Sequence, residues 1–254
     1  MRKSPAYVIL GRGRWAKKMW PIISGEGRRV VAVEETRQRP SERESDYVDR
    51  LAVKMKASGA QIAWLCVVPG PHVSLMIQAA IEAGLHVIVE KPWYGSSEDT
   101  RELQSLAGAK GRVIAVHFEY LVLEEVERWR SDFHPGAGCR FGGSFFLSRS
   151  DRSGIPAIDN LGCHLLAIRE FAVPFSQVSE IRCNYDLSDE RRIWIDRGEQ
   201  RLASIDLFTD SQRIIQNFMK KVEAALDGAA FPFDLKFALR VAGELNAYKS
   251  RGPA

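Results

Sequence analysis

Two apolar runs, each closed by a proline turn, constrain what this chain can fold into more than any other feature. Trp64-Leu-Cys-Val-Val-Pro-Gly-Pro-His72 reads as a buried strand running into a turn. A helical stretch follows, and Gly84-Leu-His-Val-Ile-Val-Glu90-Lys91-Pro92 then reads as a second buried strand ending in Glu-Lys-Pro. Strand, helix and strand without polar alternation is the βαβ unit of a parallel sheet covered on both faces. Ligands of open α/β sheets sit beyond the carboxyl ends of the strands. Lys91, a mobile cation with three donors, falls there.

The same rhythm fills the first part of the chain. Ala6–Leu10, Arg29–Glu34, Gln61–Val68, His86–Glu90 and Arg112–His117 are short runs rich in Val and Ile. Helical patterns lie between them at Arg14–Ser24, Ser41–Ala57, His72–Ala83 and Ser97–Gly108. Pro21, inside the first helix, should kink or shorten it. The alternation predicts an α/β fold with a doubly wound parallel sheet over residues 1–120.

After Leu121 the pattern changes. Gly143–Ser150, Ser179–Leu187, Arg191–Arg197 and Arg201–Thr209 read as strands joined by short turns, with one strong helix, Ile158–Phe171, among them. Helices at Asp210–Leu226 and Asp234–Tyr248 close the chain. Residues 121–254 therefore form a smaller α+β domain, whose last helix could pack back on the first.

At 254 residues the chain accommodates two domains, and 45% hydrophobic with 27% charged residues suits a globular protein with a core. A net charge of +4 spread among acids, as in Glu124-Glu-Val-Glu-Arg-Trp-Arg130, gives solvated helix faces and no nucleic-acid footprint. The four cysteines, Cys66, Cys139, Cys163 and Cys183, lack CxxC spacing, so neither a metal site nor a disulfide framework is expected. Tyr7–Leu10 is too short for a signal-peptide core, and no apolar run approaches the ~18 residues of a membrane span. These features place the chain in the cytoplasm with a small-molecule ligand.

Gly11-x-Gly13-x-x-Ala16 follows a strand and opens a helix. Glycines allow a tight turn and close approach of backbone N–H groups to a pyrophosphate, which the helix N-terminus stabilises. Glu34 and Glu35 arrive at the end of the second strand, where an acid can hold a ribose 2′-hydroxyl. Glu35 favours NAD by repelling a 2′-phosphate, while Thr36, Arg37 and Arg12 could receive one. NADP stays open, with the balance towards NAD. Asn160 and His164, four apart on a helix, can point into one cleft, and a histidine is the natural proton shuttle near neutral pH.

These motifs together resemble the Gfo/Idh/MocA oxidoreductases, the glucose–fructose oxidoreductase and inositol dehydrogenase family. The resemblance runs through Gly11-x-Gly13-x-x-Ala16, Glu35, Pro69-x-x-His72, Ala79–Gly84, Glu90-Lys91-Pro92, Asn160-x-Gly162-x-His164 and Phe231-Pro-Phe-Asp234. It implies a Rossmann domain followed by an α/β domain with an open, mostly antiparallel sheet, which often forms the interface of a homo-oligomer. It further implies an NAD(P) cofactor held by Gly11, Gly13, Arg14, Trp15, Glu35, Thr36, Arg37, Val68, Pro69, His72, Glu90, Lys91 and Pro92. Lys91 would hydrogen-bond the reacting oxygen, and His164 would exchange the proton as hydride moves between substrate carbon and nicotinamide.

The chain departs from the family in three respects. Asn160 stands where an aspartate is usual, and Asp159 beside it would face about 100° away on a helix. His117-Phe-Glu-Tyr120 lacks an arginine-containing pattern, so His117 and Tyr120 either meet a different substrate or pack. The second half is also short for the family. Trp93 and Tyr94 could wall the pocket, and Arg149 and Arg152 with Ser153 could hold an anion. The leading expectation is an oxidoreductase of a hydroxyl/carbonyl pair in a sugar, polyol or derivative. An imine reductase, an NAD-dependent glycoside hydrolase and a non-catalytic NAD(P)-binding sensor or partner subunit are the alternatives.

Overall fold

The computed structural model describes residues 4–25, 27–33, 36–134, 138–148, 154–185, 189–208, 210–229 and 231–251. The chain forms two compact units, Met1–His117 with Ile215–Leu239 and Phe118–Ile214 with Arg240–Ala254. In the first, strands β1 (Tyr7–Leu10), β2 (Val30–Val33), β3 (Ile62–Leu65), β4 (His86–Val89) and β5 (Ile114–Val116) make a parallel sheet in the order β2-β1-β3-β4-β5. Helices α1 (Arg14–Ser24), α2 (Glu44–Ala57), α3 (Val73–Glu82) and α4 (Ser97–Ala109) are the connections. Tyr-Val-Ile-Leu, Ile-Ala-Trp-Leu and Ile-Ala-Val are buried at every position. Such strands suit a sheet whose two faces are both covered. The strand order reverses at β1, so the turn after it opens at the switch point where such sheets bind ligands.

Pro21 does not shorten α1, which runs on to Ser24. The proline sits in the last turn, and carbonyls there find other donors. The Gly25 N–H donates to the Pro21 carbonyl at 2.9 Å, and the Ser24 hydroxyl to that of Trp20 at 2.9 Å.

Helix α7 (Ser211–Leu226) brings Phe218 and Glu223 to this unit. The Tyr7 hydroxyl donates to Glu223 at 2.6 Å, and Arg28 Nε pairs with the same carboxylate at 2.7 Å. Burial, followed by the Glu223 charge, pushes the Tyr7 hydroxyl well above its ordinary range, so it stays a donor. Beyond α7, the Phe233 carbonyl accepts the Val116 N–H at 2.7 Å, extending the β5 edge.

The second unit carries a four-stranded sheet in the order β7-β6-β8-β9, from β6 (Cys139–Phe146), β7 (Gln177–Asn184), β8 (Glu190–Arg197) and β9 (Gln200–Asp206). Only the β6–β7 pair is parallel. The acidic-basic stretch read as a helix face is α5 (Glu124–Asp132); a 3₁₀ turn, Glu119–Val122, precedes it. The predicted long helix is a π-helical turn, Ile158–Gly162, leading into α6 (Cys163–Ala172), and α8 (Leu235–Ser250) ends the chain.

Strand β6 begins four residues before its predicted start at Gly143, and Gly142 and Gly143 make room within it for neighbouring side chains. A Cβ at Gly142 would lie 2.3 Å from the Trp194 indole, and one at Gly143 would lie 3.0 Å from Leu165 on α6. The Gly143 face of the sheet thus packs on α6. The opposite face carries Trp194 with Arg201 and Arg182 over its ring at 4.8 and 5.8 Å.

Replacing Glu223 with alanine would remove the carboxylate paired with the Arg28 guanidinium, whose side chain is 7% exposed. Glu223→Ala should therefore lower unfolding stability by about 3 kcal/mol, read as a fall in the urea midpoint.

Candidate functional site

The turn between β1 and α1 is shaped to receive an anion. Gly11 has φ +112°, and a Cβ there would sit 2.5 Å from the Cys66 carbonyl oxygen, so only glycine fits. Gly13 is the N-cap of α1 and supplies no side-chain cap; the first turn holds no acid. A Cβ on Gly13 would meet nothing within 4 Å. The start of α1 therefore borders open space at Gly13, flanked in sequence by Arg12 and Arg14, and a pyrophosphate suits these properties.

The next strand ends converge on a buried carboxylate. Glu90 follows β4, and its Oε1 accepts the indole N–H of Trp15 at 2.6 Å and that of Trp64 at 2.8 Å. His117, just past β5, approaches the two carboxylate oxygens through Nδ1 at 3.2 and 3.3 Å. The His117 ring meets Trp64 edge-on at 5.0 Å and Phe218 at 4.7 Å. Burial by itself raises the Glu90 carboxyl, but the His117 charge and the hydrogen bonds from His117, Trp64 and Trp15 hold it below the usual carboxylate range.

Lys91 follows immediately, half-buried, with a cis bond to Pro92. Glu90 thus faces the interior, where it ties the start of α1 to the ends of β3, β4 and β5. His117 is fully buried in that web and does not stand in a substrate loop. Trp93 also packs inward, 4% exposed, donating to Thr100 Oγ1 at 2.9 Å and covering Gly95. Tyr94 and Val68 remain exposed, Pro69 is half-exposed, and His72 caps the entry to α3. Glu35 lies outside the described residues. After it, the Thr36 carbonyl accepts the Tyr47 hydroxyl at 2.7 Å, and the Arg37 carbonyl accepts Arg50 at 2.9 Å.

In the second unit His164 stands on the first turn of α6, 4% exposed. Its Nε2 lies 3.8 Å from Glu119 Oε1, in the 3₁₀ turn. Tyr120 meets the imidazole edge-on at 5.0 Å, and Phe145 lies tilted beside it at 5.6 Å. Tyr120 is itself buried, and its hydroxyl accepts from Arg191 at 3.2 Å. Asn160 points elsewhere, donating to the Tyr185 hydroxyl at 2.9 Å, while Asp159 is held by Lys249 at 2.8 Å. Arg149, Arg152 and Ser153 lie outside the described residues. Glu119 had no sequence signal pairing it with His164, and neither the apolar pattern nor the Glu-Lys-Pro motif marks Glu90 as an acceptor for two indoles.

With this geometry in view, residues 6–118 match the family model described as "Oxidoreductase family, NAD-binding Rossmann fold". Over those residues the chain is similar to the NAD-binding part of the Gfo/Idh/MocA oxidoreductases. An uncharacterized oxidoreductase of Escherichia coli K12, YdgJ, is 39% identical over 95 residues, covering 35% of this chain and 25% of that protein. The chain thus spans about a quarter of that relative's length. The fold match runs further. The UDP-N-acetylglucosamine 3-dehydrogenase GnnA of Acidithiobacillus ferrooxidans superposes with a TM-score of 0.74 over 96% of both chains, at 14% identity. An inositol dehydrogenase homolog of Azotobacter vinelandii, solved with NADH and myo-inositol, gives 0.66 over 98% of this chain and 97% of its own, again at 14% identity.

The Glu90 web has a pH signature. Because its folded value is depressed, the stability it contributes is present above the unfolded carboxylate value of about 4.3 and is lost as acid protonates it in the fold. The stability difference between the parent and Glu90→Gln should be larger at pH 7 than at pH 3 in urea unfolding. An equal difference at both would mean that the charge contributes nothing.

Proposed function

We propose that this chain is an NAD-dependent oxidoreductase that moves a hydride between nicotinamide and the hydroxyl or carbonyl carbon of a small polar substrate. A sugar, a polyol or a derivative of one is the substrate class. The observation that carries the reading is the uncapped, acid-free start of α1 behind Gly11 and Gly13, at the switch point of the sheet that also presents Lys91. The Gfo/Idh/MocA match over the same residues supports it.

When bound, the dinucleotide supplies the hydride acceptor or donor. Gly11 and Gly13 bring backbone N–H groups to its phosphates. Trp15, anchored by Glu90 on the first turn of α1, gives a flat indole beside that path. Lys91 places a cation at the reacting oxygen, where it stabilises the negative charge that develops there. His164 exchanges the substrate proton. Oligomerisation through the second sheet is part of the same reading. Its Trp194 face carries Arg140, Arg182, Arg192 and Arg201 beside Glu180, Glu190 and Asp196, a mixture complementary to its own copy.

Calorimetric titration with NAD⁺, NADH, NADP⁺ and NADPH tests the reading first. Micromolar binding of the NAD pair is expected; binding of none of the four would overturn it. Lys91→Ala should then lower turnover by about 10²-fold or more while dinucleotide affinity stays within a few-fold. Undiminished turnover would remove Lys91 from the chemistry.

A further inference from the structure

The sequence placed Asn160 beside His164 and turned Asp159 away from it, and the structure gives both other contacts. Asn160 donates to Tyr185, whose hydroxyl in turn donates to the Ile155 carbonyl at 3.1 Å. Asp159 is paired with Lys249. A third group faces the imidazole from a different element. Glu119 Oε1 lies 3.8 Å from Nε2, and both side chains are largely enclosed, 4% of His164 and 14% of Glu119 being exposed.

We infer that Glu119 is the proton partner of His164, the two forming a carboxylate–imidazole dyad. This deepens the proposed oxidoreductase reading and rests on it for the chemistry, though not for the existence of the dyad.

The surroundings favour such a pair. The Tyr120 ring edge and the Phe145 ring wall the imidazole, so water screens the Glu119 charge weakly and the attraction between the two groups is strengthened. Several charged groups of the described residues have contacts of their own. From β8, Arg191 donates to the Tyr120 hydroxyl and lies over Phe145 and Phe208 at 5.4 and 5.0 Å. Tyr120 stays neutral, since burial and then Glu119 push its hydroxyl above the ordinary range. Glu190 takes the Ser144 hydroxyl on β6, and the Asp159–Lys249 pair is closed on itself. Neighbouring carboxylate and imidazole titrate as a unit, not as separate residues.

The proton balance follows. In the oxidative direction the carbinol carbon gives up a hydride, with its electron pair, to the nicotinamide dinucleotide. The hydroxyl proton goes to the dyad, whose charge rises from −1 to 0, and the carbonyl forms. Reduction returns the same proton. Glu119, the more exposed member, is the side from which that proton enters and leaves.

The dyad can be read in the unliganded full chain. Histidine NMR titration, with the His164 resonances identified by their loss in His164→Gln, compares the parent with Glu119→Gln and Glu119→Asp. We expect the His164 midpoint to fall by about one pH unit or more in Glu119→Gln and to stay near the parent value in Glu119→Asp. In turnover assays the same step should appear in the kcat–pH profile, with KM changed less than about threefold and the aspartate variant rescuing the profile. A His164 midpoint unmoved in Glu119→Gln would overturn the inference. A shifted midpoint in a chain that binds no dinucleotide would uphold the dyad while removing the oxidoreductase reading.

Discussion

A carboxylate enclosed by protein must be matched group by group or the fold loses several kcal/mol. Glu90 meets that demand with two indole N–H groups and an imidazole, each arriving from a different element. Trp15 comes from the first turn of α1, Trp64 from β3, and His117 from just beyond β5. The requirement to match one charge therefore sets the relative heights of three strand ends and the start of α1. Lys91 is the next residue along. Its place at the carboxyl end of the sheet is inherited from a neighbour that faces inward.

Most of the first unit was legible because its residues obey one dominant rule. Strands covered on both faces need uninterrupted apolar runs, and Tyr7–Leu10, Ile62–Leu65 and Ile114–Val116 supply them. Gly11 was legible for a related reason, since a tight βα turn leaves no room for a side chain. The difficulties arose where a residue has two physical uses. Gly142 was left outside the strand read from Gly143, yet it serves within β6 as a recess for Trp194. Pro21 reads as a helix breaker, yet α1 carries it in its last turn.

The candidate site was legible in its motifs and not in its pairings. Lys91, His164 and the glycine turn announce themselves through local spacing. The Glu90–Trp64 and Glu119–His164 relationships connect residues far apart in the chain and carry no periodic signal. His117 and Trp93 illustrate the same limit from the other side. Each has the residue type of a pocket wall, and each is consumed by packing. A side chain's chemistry is visible in sequence, whereas the direction it faces is decided by long-range contacts.

The cofactor-type unit is discontinuous, since Ile215–Leu239 belongs with Met1–His117. During synthesis, the sheet's five strands emerge well before Phe218 can cover His117, before Glu223 can meet Arg28, and before the Phe233 carbonyl can satisfy the β5 edge. Everything between 118 and 214 leaves the ribosome first. The unit whose strands emerge first is thus finished almost last, and its β5 edge waits for Phe233 in the state most open to wrong partners.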